Sequence, residues 1–386
     1  ILFKELRSYS LVSITMFFYE TFVVLLFSCK DLSSQGILRP SDRIKCGAER
    51  TEEYIKLLEK RKVGLVANPS SRIGETHLLD SLMSSGISVE VVFCPEHGFR
   101  GKGEAGEVVI DHKDQLTGIS VVSLYGDKKK PDPEDLRGID ILLFDIQDVG
   151  ARFYTYISTL HYIMEAAAEQ GIGLIILDRP NPNGFYVDGP IREDALKSFV
   201  GMDPVPVVHG MTVGEYGLML NSDGWLNNSK KCDLTVIECL NYDHLTSYNL
   251  PVKPSPNLPN SESIVLYPSL CFFEGTKISI GRGTAFPFQI YGHPDLKGDF
   301  TFRPESIPGA SMNPKLEGKL CNGFDLRVEG VNRVLEERRL VLEWVIQAFK
   351  QTGSSEDFFN SYFDTLAGTS KVREHIIEGW TANQIR

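Results

Sequence analysis

The sequence predicts an α/β protein whose first half is a doubly wound, mostly parallel sheet. Short apolar runs rich in β-branched residues recur between residues 62 and 177, and segments with helical spacing separate them. Strands that alternate with helices are typical of parallel sheets, because each helix returns the chain to the edge from which the next strand starts. The chain has 386 residues, which is long enough for a second domain with its own core.

Five strands are predicted in this first half. In chain order they cover residues 62–68, 88–93, 118–124, 139–144 and 173–177. The predicted helices cover residues 49–61, 77–85 and 154–170, and a further short helix is predicted to begin at residues 131–134. Gly171 directly follows the long helix, and glycine at this position commonly ends a helix.

Beyond residue 190 the alternation loosens. Thr212 can cap a helix that runs to Leu220, with Glu215 in the capping-box position. Residues 251–260 carry four prolines and predict a rigid connection between two domains. A strand at residues 323–328 and an amphipathic helix at residues 335–349 are predicted after it. The predicted domains are therefore residues 48–255 and residues 256–386.

The composition limits the classes of function. A hydrophobic content of 42% and a charged content of 24% are ordinary for a globular protein. The formal net charge of −11 argues against a nucleic-acid-binding protein, which needs a basic face. Neither G-x-G-x-x-G nor G-x-x-x-x-G-K-[ST] opens a predicted helix. The sheet therefore resembles a Rossmann fold only in the way its strands and helices are connected. No dinucleotide or other cofactor is expected.

The cysteines predict neither a zinc site nor a disulfide framework. The seven residues show no C-x-x-C pair, and they lie in scattered, mostly apolar segments at positions 29, 46, 94, 232, 239, 271 and 321. A chain of this length seldom needs disulfides, and free cysteine behaves as a small apolar residue. Except at Cys29, the pattern therefore predicts buried free thiols.

Residues 1–47 predict an export signal and a tether. Lys4 and Arg7 precede an apolar stretch that ends in Ser28-Cys29, which resembles the lipobox of bacterial lipoproteins. Lys30-Asp31 resembles the surface-export signal of some Gram-negative lipoproteins. The alternative is a transmembrane helix, but the uninterrupted apolar run is too short to span a bilayer. We therefore expect a Gram-negative cell-envelope protein, either periplasmic or anchored to the outer membrane through a lipid on Cys29.

Three predicted strands end in polar loops of similar character. The loops read PEHGFRG from residue 95, DIQDVGARFYTY from residue 145 and DRPNPNG from residue 178. The first places Glu96, His97 and Arg100 within five residues. Because ligands of open α/β sheets bind outside the carboxyl ends of the strands, we expect the three loops to converge on one site.

These motifs resemble those of the NamZ-type exo-β-N-acetylmuramidases, a family long catalogued as a domain of unknown function. From about residue 48 to the end, six blocks occur in the order expected for the family: PEHGFRG, DIQDVGARFYTY, LDRPNPNG, VHGMTVGE, PSPNLP and GTKISIGRGT. The resemblance implies a Rossmann-like domain followed by a smaller α/β domain, with the active site in the cleft between them. It also implies release of N-acetylmuramic acid from the non-reducing end of peptidoglycan fragments, in cell-wall turnover and recycling.

The resemblance also bears on single positions. The glutamate proposed as catalytic in the family lies in its P-E-H-G motif, which corresponds to Glu96. Gln289 stands where relatives often have glutamate, so this position is not expected to be an essential acid. The chain stops at Arg386, short of the helix-rich tail that the family implies, and we expect the second domain to be truncated at its end.

Glycoside hydrolysis usually needs a carboxylic acid that protonates the leaving oxygen. Glu96 follows an apolar strand and lies near Phe99, so burial could keep it protonated. A nearby Arg100 would oppose this effect, and we expect its side chain to point elsewhere, toward the substrate. Asp145 and Asp148 are the candidates for a base or nucleophile, although an aspartate at a strand–helix junction is often only a cap. Assistance by the acetamido group of the sugar is a third alternative.

The three loops and two later segments supply candidates for substrate binding. A bidentate arginine suits the lactyl carboxylate of muramic acid, and Arg282 is our first choice because glycines flank it. The other candidate arginines are Arg100, Arg152 and Arg179. The remaining candidates are two tyrosines that could stack on the sugar and four polar residues: Tyr154, Tyr156, His97, Asp178, Asn181 and His209.

Two alternatives to a metal-free glycosidase stay open from the sequence. A metal-dependent hydrolase could use ligands among Asp145, Asp148, His97 and His209, although neither H-E-x-x-H nor a tight ligand pair is present. A lipoprotein that binds peptidoglycan without cleaving it is the second. We expect no metal, and we expect N-acetylmuramic acid glycans to be the binding partners.

Overall fold

A seven-stranded sheet forms the centre of the first half of the chain. The computed structural model describes residues 43–96, 98–100 and 111–386. The strands of the first half are β1 (Lys62–Ala67), β2 (Arg72–Ile73), β3 (Thr76–His77), β4 (Ser88–Cys94), β5 (His112–Lys113), β6 (Ser120–Ser123), β7 (Ile141–Asp145), β8 (Gly173–Leu177) and β9 (Leu234–Ile237). The sheet has the order β5-β6-β4-β1-β7-β8-β9, with only β5 antiparallel to its neighbour, and β2 pairs with β3 separately.

The central strands are buried on both faces, which explains their continuous apolar runs. Residues 63–67 of β1 are all buried, and β1 pairs with β4 on one side and β7 on the other. One face packs against α1 (Thr51–Leu58) and α2 (Leu78–Ser84), and the opposite face packs against α3 (Tyr156–Gln170) and α4 (Val213–Asp223). The predicted α/β class with a doubly wound sheet is therefore confirmed.

Two helix ends follow the predicted local signals. α3 ends at Gly171, whose φ of 66° lies in the left-handed region that glycine adopts without strain. At the start of α4, the Thr212 side chain accepts a hydrogen bond from the backbone N–H of Glu215, and the Glu215 side chain accepts one from the N–H of Thr212. This reciprocal pair fixes the chain where it returns to the sheet.

The second half of the chain is smaller and combines helices with a short antiparallel sheet. Its helices are α5 (Ser261–Leu270), α6 (Glu329–Glu337), α7 (Glu343–Gln351), α8 (Ser361–Ala367), α9 (Lys371–Ile377) and α10 (Ala382–Ile385). Its strands are β10 (Ile290–His293), β11 (Phe300–Phe302) and β12 (Cys321–Asp325), in the order β10-β12-β11. One apolar cluster joins Phe144 of the first half to Phe272 and Phe363 of the second. The domain boundary at residue 255 stays a prediction.

Two helix predictions were wrong. After Pro131 the chain forms successive turns instead of a helix. The N–H of Asp135 donates a hydrogen bond to the carbonyl of Asp132, and the N–H of Arg137 donates one to the carbonyl of Glu134. The predicted helix at 335–349 is interrupted between α6 and α7. There Asp188 accepts a hydrogen bond from the Leu340 N–H at 2.7 Å, so a tertiary contact replaces the helical one.

The six described cysteines are free, and all but Cys239 are buried, as predicted. Within the described ranges, none of the helices combines the length and the apolar character that crossing a bilayer requires. Cys29 and the predicted export segment lie outside the described residues.

Candidate active site

A cavity of about 430 Å³ lies beside the carboxyl edge of the sheet, where the two halves of the chain meet. Its walls come from the loop after β4, the residues that lead into α3, the proline-rich connection, and several segments of the second half. The volume is within the range of roughly 300–1,000 Å³ that small-molecule sites occupy. Both halves are therefore needed to form it.

Among the described residues of the first loop, Glu96 lines this cavity. It follows Pro95 directly after β4, and proline stops the strand because it has no N–H to donate. The Tyr125 hydroxyl donates a hydrogen bond to Glu96 Oε1 at 3.1 Å. Tyr125 follows β6, which is the neighbour of β4 in the sheet, so two adjacent strand ends position the carboxyl group.

Lys129 supplies a positive charge close to Glu96. Its ammonium lies 4.7 Å from the centroid of the Tyr125 ring and 4.4 Å from that of Phe199. Burial lowers the pKa of Lys129, and the negative charge of Glu96 opposes that shift. The carboxyl group thus has a phenol and an ammonium as its polar neighbours.

Tyr154 and Tyr156 form the cavity wall at the start of α3. The Tyr154 hydroxyl donates to the carbonyl of Pro254 at 2.7 Å, and that of Tyr156 lies 3.4 Å from the same oxygen. Burial raises the pKa of Tyr156, and the charge of Glu96 contributes to the increase. These predicted residues therefore line the cavity, and their hydroxyls also hold the proline-rich connection in place.

The second half contributes a guanidinium and a carboxylate on the opposite wall. Arg282 donates from Nε to Glu274 Oε1 at 2.5 Å, and both side chains line the cavity. Burial acts to lower the pKa of Arg282, but the Glu274 carboxylate outweighs this effect and raises the pKa above its ordinary value. The guanidinium also lies 4.9 Å from the centroid of the Phe288 ring, which fixes its plane.

The second predicted loop does not bring Asp145 into the cavity. Asp145 is fully buried and accepts two hydrogen bonds from Arg179, at 2.6 Å from Nε and 2.9 Å from Nη2. Burial opposes the charge of Arg179, yet the carboxylate raises its pKa. The structure therefore places this pair inside the protein, behind the strand ends, and neither residue is retained in the candidate site.

The third loop is also internal. Asp178 accepts hydrogen bonds from the backbone N–H groups of Arg179 at 2.9 Å and Gly214 at 2.7 Å, so it anchors the start of α4. Burial raises its pKa to about 6. The Asn181 side chain donates to the carbonyl of Met211 at 2.9 Å. Both residues hold loops together, away from the cavity.

Arg100 points away from Glu96, as expected, but not toward the cavity. It forms paired hydrogen bonds of 2.8–3.0 Å with Asp80 and with Asp114, so it ties α2 to the residues after β5. Arg152 is fully buried and donates to backbone carbonyls of both halves, including Val205 at 2.7 Å and Leu366 at 2.9 Å. The structure thus gives both arginines structural contacts.

Asp148 and His209 lie together beneath the cavity wall. Asp148 Oδ2 accepts a hydrogen bond from the Gly150 N–H at 2.6 Å and lies 3.7 Å from His209 Nε2. Burial raises the pKa of Tyr156, and the charge of Asp148 is one of the smaller contributions. The pair supports the wall without lining the cavity. His97, the remaining candidate, lies outside the described residues.

Sequence reasoning missed several of the residues that line or support the cavity. Tyr125 and Lys129 follow β6, and a topology that placed β6 beside β4 would have indicated them. Glu274 lies in a short 3₁₀ helix at Cys271–Gly275, where a carboxylate within an aromatic run was the available signal. Tyr362 has no comparable signal, because it begins α8 far along the chain.

The described residues contain no group of three or more histidine, cysteine, aspartate or glutamate side chains that could hold a metal ion. Among the described candidate ligands, Asp148 and His209 lie together, with Oδ2 of the first 3.7 Å from Nε2 of the second. Two ligand types in one place do not make a four-coordinate site. The described part of the chain therefore offers no geometry that favours a metal-dependent hydrolase.

The chain matches known proteins over most of its length. Residues 63–262 match the family model for the N-terminal part of the exo-β-N-acetylmuramidase NamZ, and residues 265–386 match the model for its C-terminal part. The peptidoglycan β-N-acetylmuramidase NamZ of Bacillus subtilis is 40% identical over 361 residues, which cover 86% of this chain and 84% of the relative.

Two crystal structures of DUF1343 family proteins from Bacteroides fragilis share the fold. The first is 44% identical, has a TM-score of 0.82, and is matched over 89% of this chain and 93% of its own. The second is 29% identical, has a TM-score of 0.75, and is matched over 87% of this chain and 92% of its own.

Proposed function

Because the chain belongs to the NamZ family of exo-β-N-acetylmuramidases, we propose that the cavity between its two halves is a glycosidase active site in which Glu96 is the general acid. The protein is an exo-acting glycoside hydrolase that releases terminal N-acetylmuramic acid from the non-reducing end of peptidoglycan fragments in cell-wall turnover.

The observation that carries the acid role is the position of Glu96 in the cavity. Cleavage of a glycosidic bond requires a proton on the leaving oxygen as the bond to the anomeric carbon breaks. Glu96 is the single carboxyl group that the described strand-end loops present to the cavity, whereas Asp145 and Asp178 are held in internal contacts. The Tyr125 hydroxyl donates to Oε1, and no described residue donates a hydrogen bond to Oε2.

The Arg282 guanidinium is the group that would bind the lactyl carboxylate of muramic acid. Among the described residues only Glu274 accepts a hydrogen bond from it, through Nε, so its two terminal nitrogens are available to a ligand. A guanidinium offers parallel donors that match a carboxylate. GlcNAc lacks the lactyl group, so this contact would select muramic acid.

The test of the acid role is Glu96→Gln assayed on the disaccharide MurNAc–GlcNAc. The amide cannot donate the proton, and loss of acid catalysis is worth about 10²- to 10⁴-fold in rate. Glu90→Gln is the matched control, because Glu90 is exposed on β4, the strand that precedes Glu96. A Glu96→Gln enzyme within a few-fold of wild type would move the acid role to another residue. Failure of folded wild-type protein to release MurNAc would overturn the function itself.

We also propose that the protein is exported and lipid-anchored at Cys29 in a Gram-negative envelope. The basic residues, the apolar stretch and the Ser28-Cys29 pair support this proposal. Full-length protein made in a Gram-negative host fed labelled palmitate should carry the label and sediment with membranes. Cys29→Ala should lose both properties, and Cys239→Ala should keep them. Unlabelled wild-type protein would contradict the proposal.

A further inference from the structure

We infer that Glu274 is the second catalytic carboxylate, acting as the base that takes a proton from water as that water attacks the anomeric carbon. The inference rests on the proposed function of the cavity and goes beyond it by completing the pair of groups that the reaction requires. The sheet-edge aspartates that the sequence favoured for this role lie elsewhere, so the second half of the chain supplies it.

Glu274 lies on the wall of the cavity that the second half of the chain provides. It is the second carboxylate among the described residues that line the cavity, and it projects from the segment Cys271–Gly275, whose other large side chains are buried. Placing a carboxylate in such a segment costs free energy unless it is paired. Its partner, Arg282, engages Oε1, and no other described residue donates to Oε2.

The two carboxyl groups differ in the donors that they contact. Glu274 accepts a charge-assisted hydrogen bond from the Arg282 guanidinium at 2.5 Å. Glu96 accepts its hydrogen bond from the neutral phenol of Tyr125, and the positive charge of Lys129 lies near it. Different surroundings of this kind are how glycosidases assign acid and base roles to a pair of carboxyl groups.

Lys315 holds the backbone of the turn that carries Glu274 in place. The ammonium of Lys315 donates to the carbonyl of Phe273 at 2.9 Å and lies 3.4 Å from that of Glu274, so it clamps the turn that carries the carboxylate. Burial lowers the pKa of Lys315, and the charge of Glu274 opposes the shift. A base that must meet a water molecule needs such a fixed backbone.

Tyr362 links the two walls of the cavity electrostatically. Burial raises the pKa of its phenol, and the negative charges of both Glu274 and Glu96 raise it further. The charges of both carboxyl groups therefore affect the pKa of this phenol. Tyr362, Glu96 and Glu274 line the same cavity.

The reaction balances with these two residues and one water molecule. Glu96 gives its proton to the glycosidic oxygen while the bond from that oxygen to the anomeric carbon breaks. The water oxygen forms the new bond to that carbon from the opposite face, and its proton passes to Glu274. Solvent then restores the proton on Glu96 and removes the one on Glu274. The first product is α-N-acetylmuramic acid, with inverted configuration.

The experiment compares Glu274→Gln with Glu96→Gln on two substrates, MurNAc–GlcNAc and an aryl β-N-acetylmuramide. The aryl group leaves without protonation, so Glu96→Gln should recover much of its rate on that substrate. Glu274→Gln should lose about 10²- to 10⁴-fold in kcat on both, because water activation is needed in both. Azide added to Glu274→Ala should restore turnover of the aryl substrate and form the α-glycosyl azide.

A role for Glu274 that acts only through Arg282 would raise KM and leave kcat within about three-fold, and that result would overturn the inference. Proton NMR of wild-type turnover needs no variant: α-MurNAc must appear first, and β-MurNAc first would also overturn it. If wild-type enzyme is active and only Glu96→Gln is impaired, this inference fails and the proposed function stands. If wild-type enzyme is inactive on both substrates, the proposed function fails.

Discussion

Two arginine–carboxylate pairs, Arg179 with Asp145 and Arg282 with Glu274, differ in burial and in hydrogen bonding. Arg179 and Asp145 form two hydrogen bonds, at 2.6 and 2.9 Å, and are 3% and 0% exposed. Arg282 and Glu274 form one, at 2.5 Å, and are 33% and 22% exposed. The first pair is enclosed inside the protein, and Arg179 also donates to the carbonyl of Arg72. In the second pair, no described residue bonds to the terminal nitrogens of Arg282 or to Oε2 of Glu274.

The difference shows that charged residues at strand ends do not by themselves mark a site. A buried pair that satisfies its own hydrogen bonds has nothing left to offer a ligand. A pair that is joined by a single hydrogen bond has further donor and acceptor atoms with which it can bind a ligand. Exposure and the number of unsatisfied donors therefore distinguish a structural ion pair from a candidate site pair in this protein. Residue type and position after a strand distinguish them less well.

The largest effect should come from breaking the buried pair. Asp145→Asn leaves the Arg179 charge buried without a counter-charge, and such losses cost about 3–5 kcal/mol of unfolding free energy. Urea unfolding should show this loss, while Glu274→Gln should stay within about 1 kcal/mol of wild type because its pair is partly exposed. An Asp145→Asn protein of normal stability that lacked activity would reverse the two assignments.

A second test uses pH, because the buried strand-end region also contains His77. Its Nδ1 accepts from the Leu79 N–H at 3.2 Å and its Nε2 donates to the Asn68 carbonyl at 3.1 Å, so the neutral ring is the form bound. Burial lowers the pKa of His77 to about 4. Between pH 6.5 and 4 the unfolded chain takes up a proton that the folded chain does not, so stability should fall as pH falls.

The loss at His77 should approach roughly 3 kcal/mol across that range, since one pKa unit corresponds to about 1.4 kcal/mol. Chemical denaturation of wild type and of His77→Gln at several pH values measures it. The variant should be less stable at pH 7 and should show a flatter pH dependence. Parallel curves would mean that His77 is not the responsible group.

A smaller effect is expected at the open pair. Arg282→Ala removes a charge-assisted hydrogen bond to the lactyl group, worth about 1.5–3 kcal/mol, or roughly ten- to a hundred-fold in affinity. The loss should appear for MurNAc ligands and not for GlcNAc analogues. Arg327→Ala is the matched control, because Arg327 is paired with Asp325 at 2.6 Å and does not line the active-site cavity. Equal losses for both sugars would exclude Arg282 as the lactyl contact.

Much of the fold could be predicted because its signals are local. Apolar runs marked β1, β4, β7 and β8, Gly171 marked the end of α3, and Thr212 with Glu215 marked the start of α4. The break between α6 and α7 could not be predicted, because it depends on Asp188, which is remote in sequence from Leu340. Tertiary hydrogen bonds overrode a continuous helical pattern there.

The site could be predicted only in part for the same reason. Glu96, Tyr154, Tyr156 and Arg282 were identified from motifs, and the structure brings them to one cavity. Which carboxylates pair with arginines inside the protein depends on contacts between distant segments. The sequence could not reveal that Arg179 would occupy Asp145, which lies 34 positions earlier, or that the second half would provide Glu274.

The most direct measurement is a crystal structure of Glu96→Gln with MurNAc–GlcNAc bound. The account predicts the disaccharide in the cavity, with its glycosidic oxygen beside residue 96, its lactyl carboxylate on the Arg282 guanidinium, and a water between the anomeric carbon and Glu274. Density for the sugar at Asp145, Asp148 or Asp178, with the cavity empty, would contradict it.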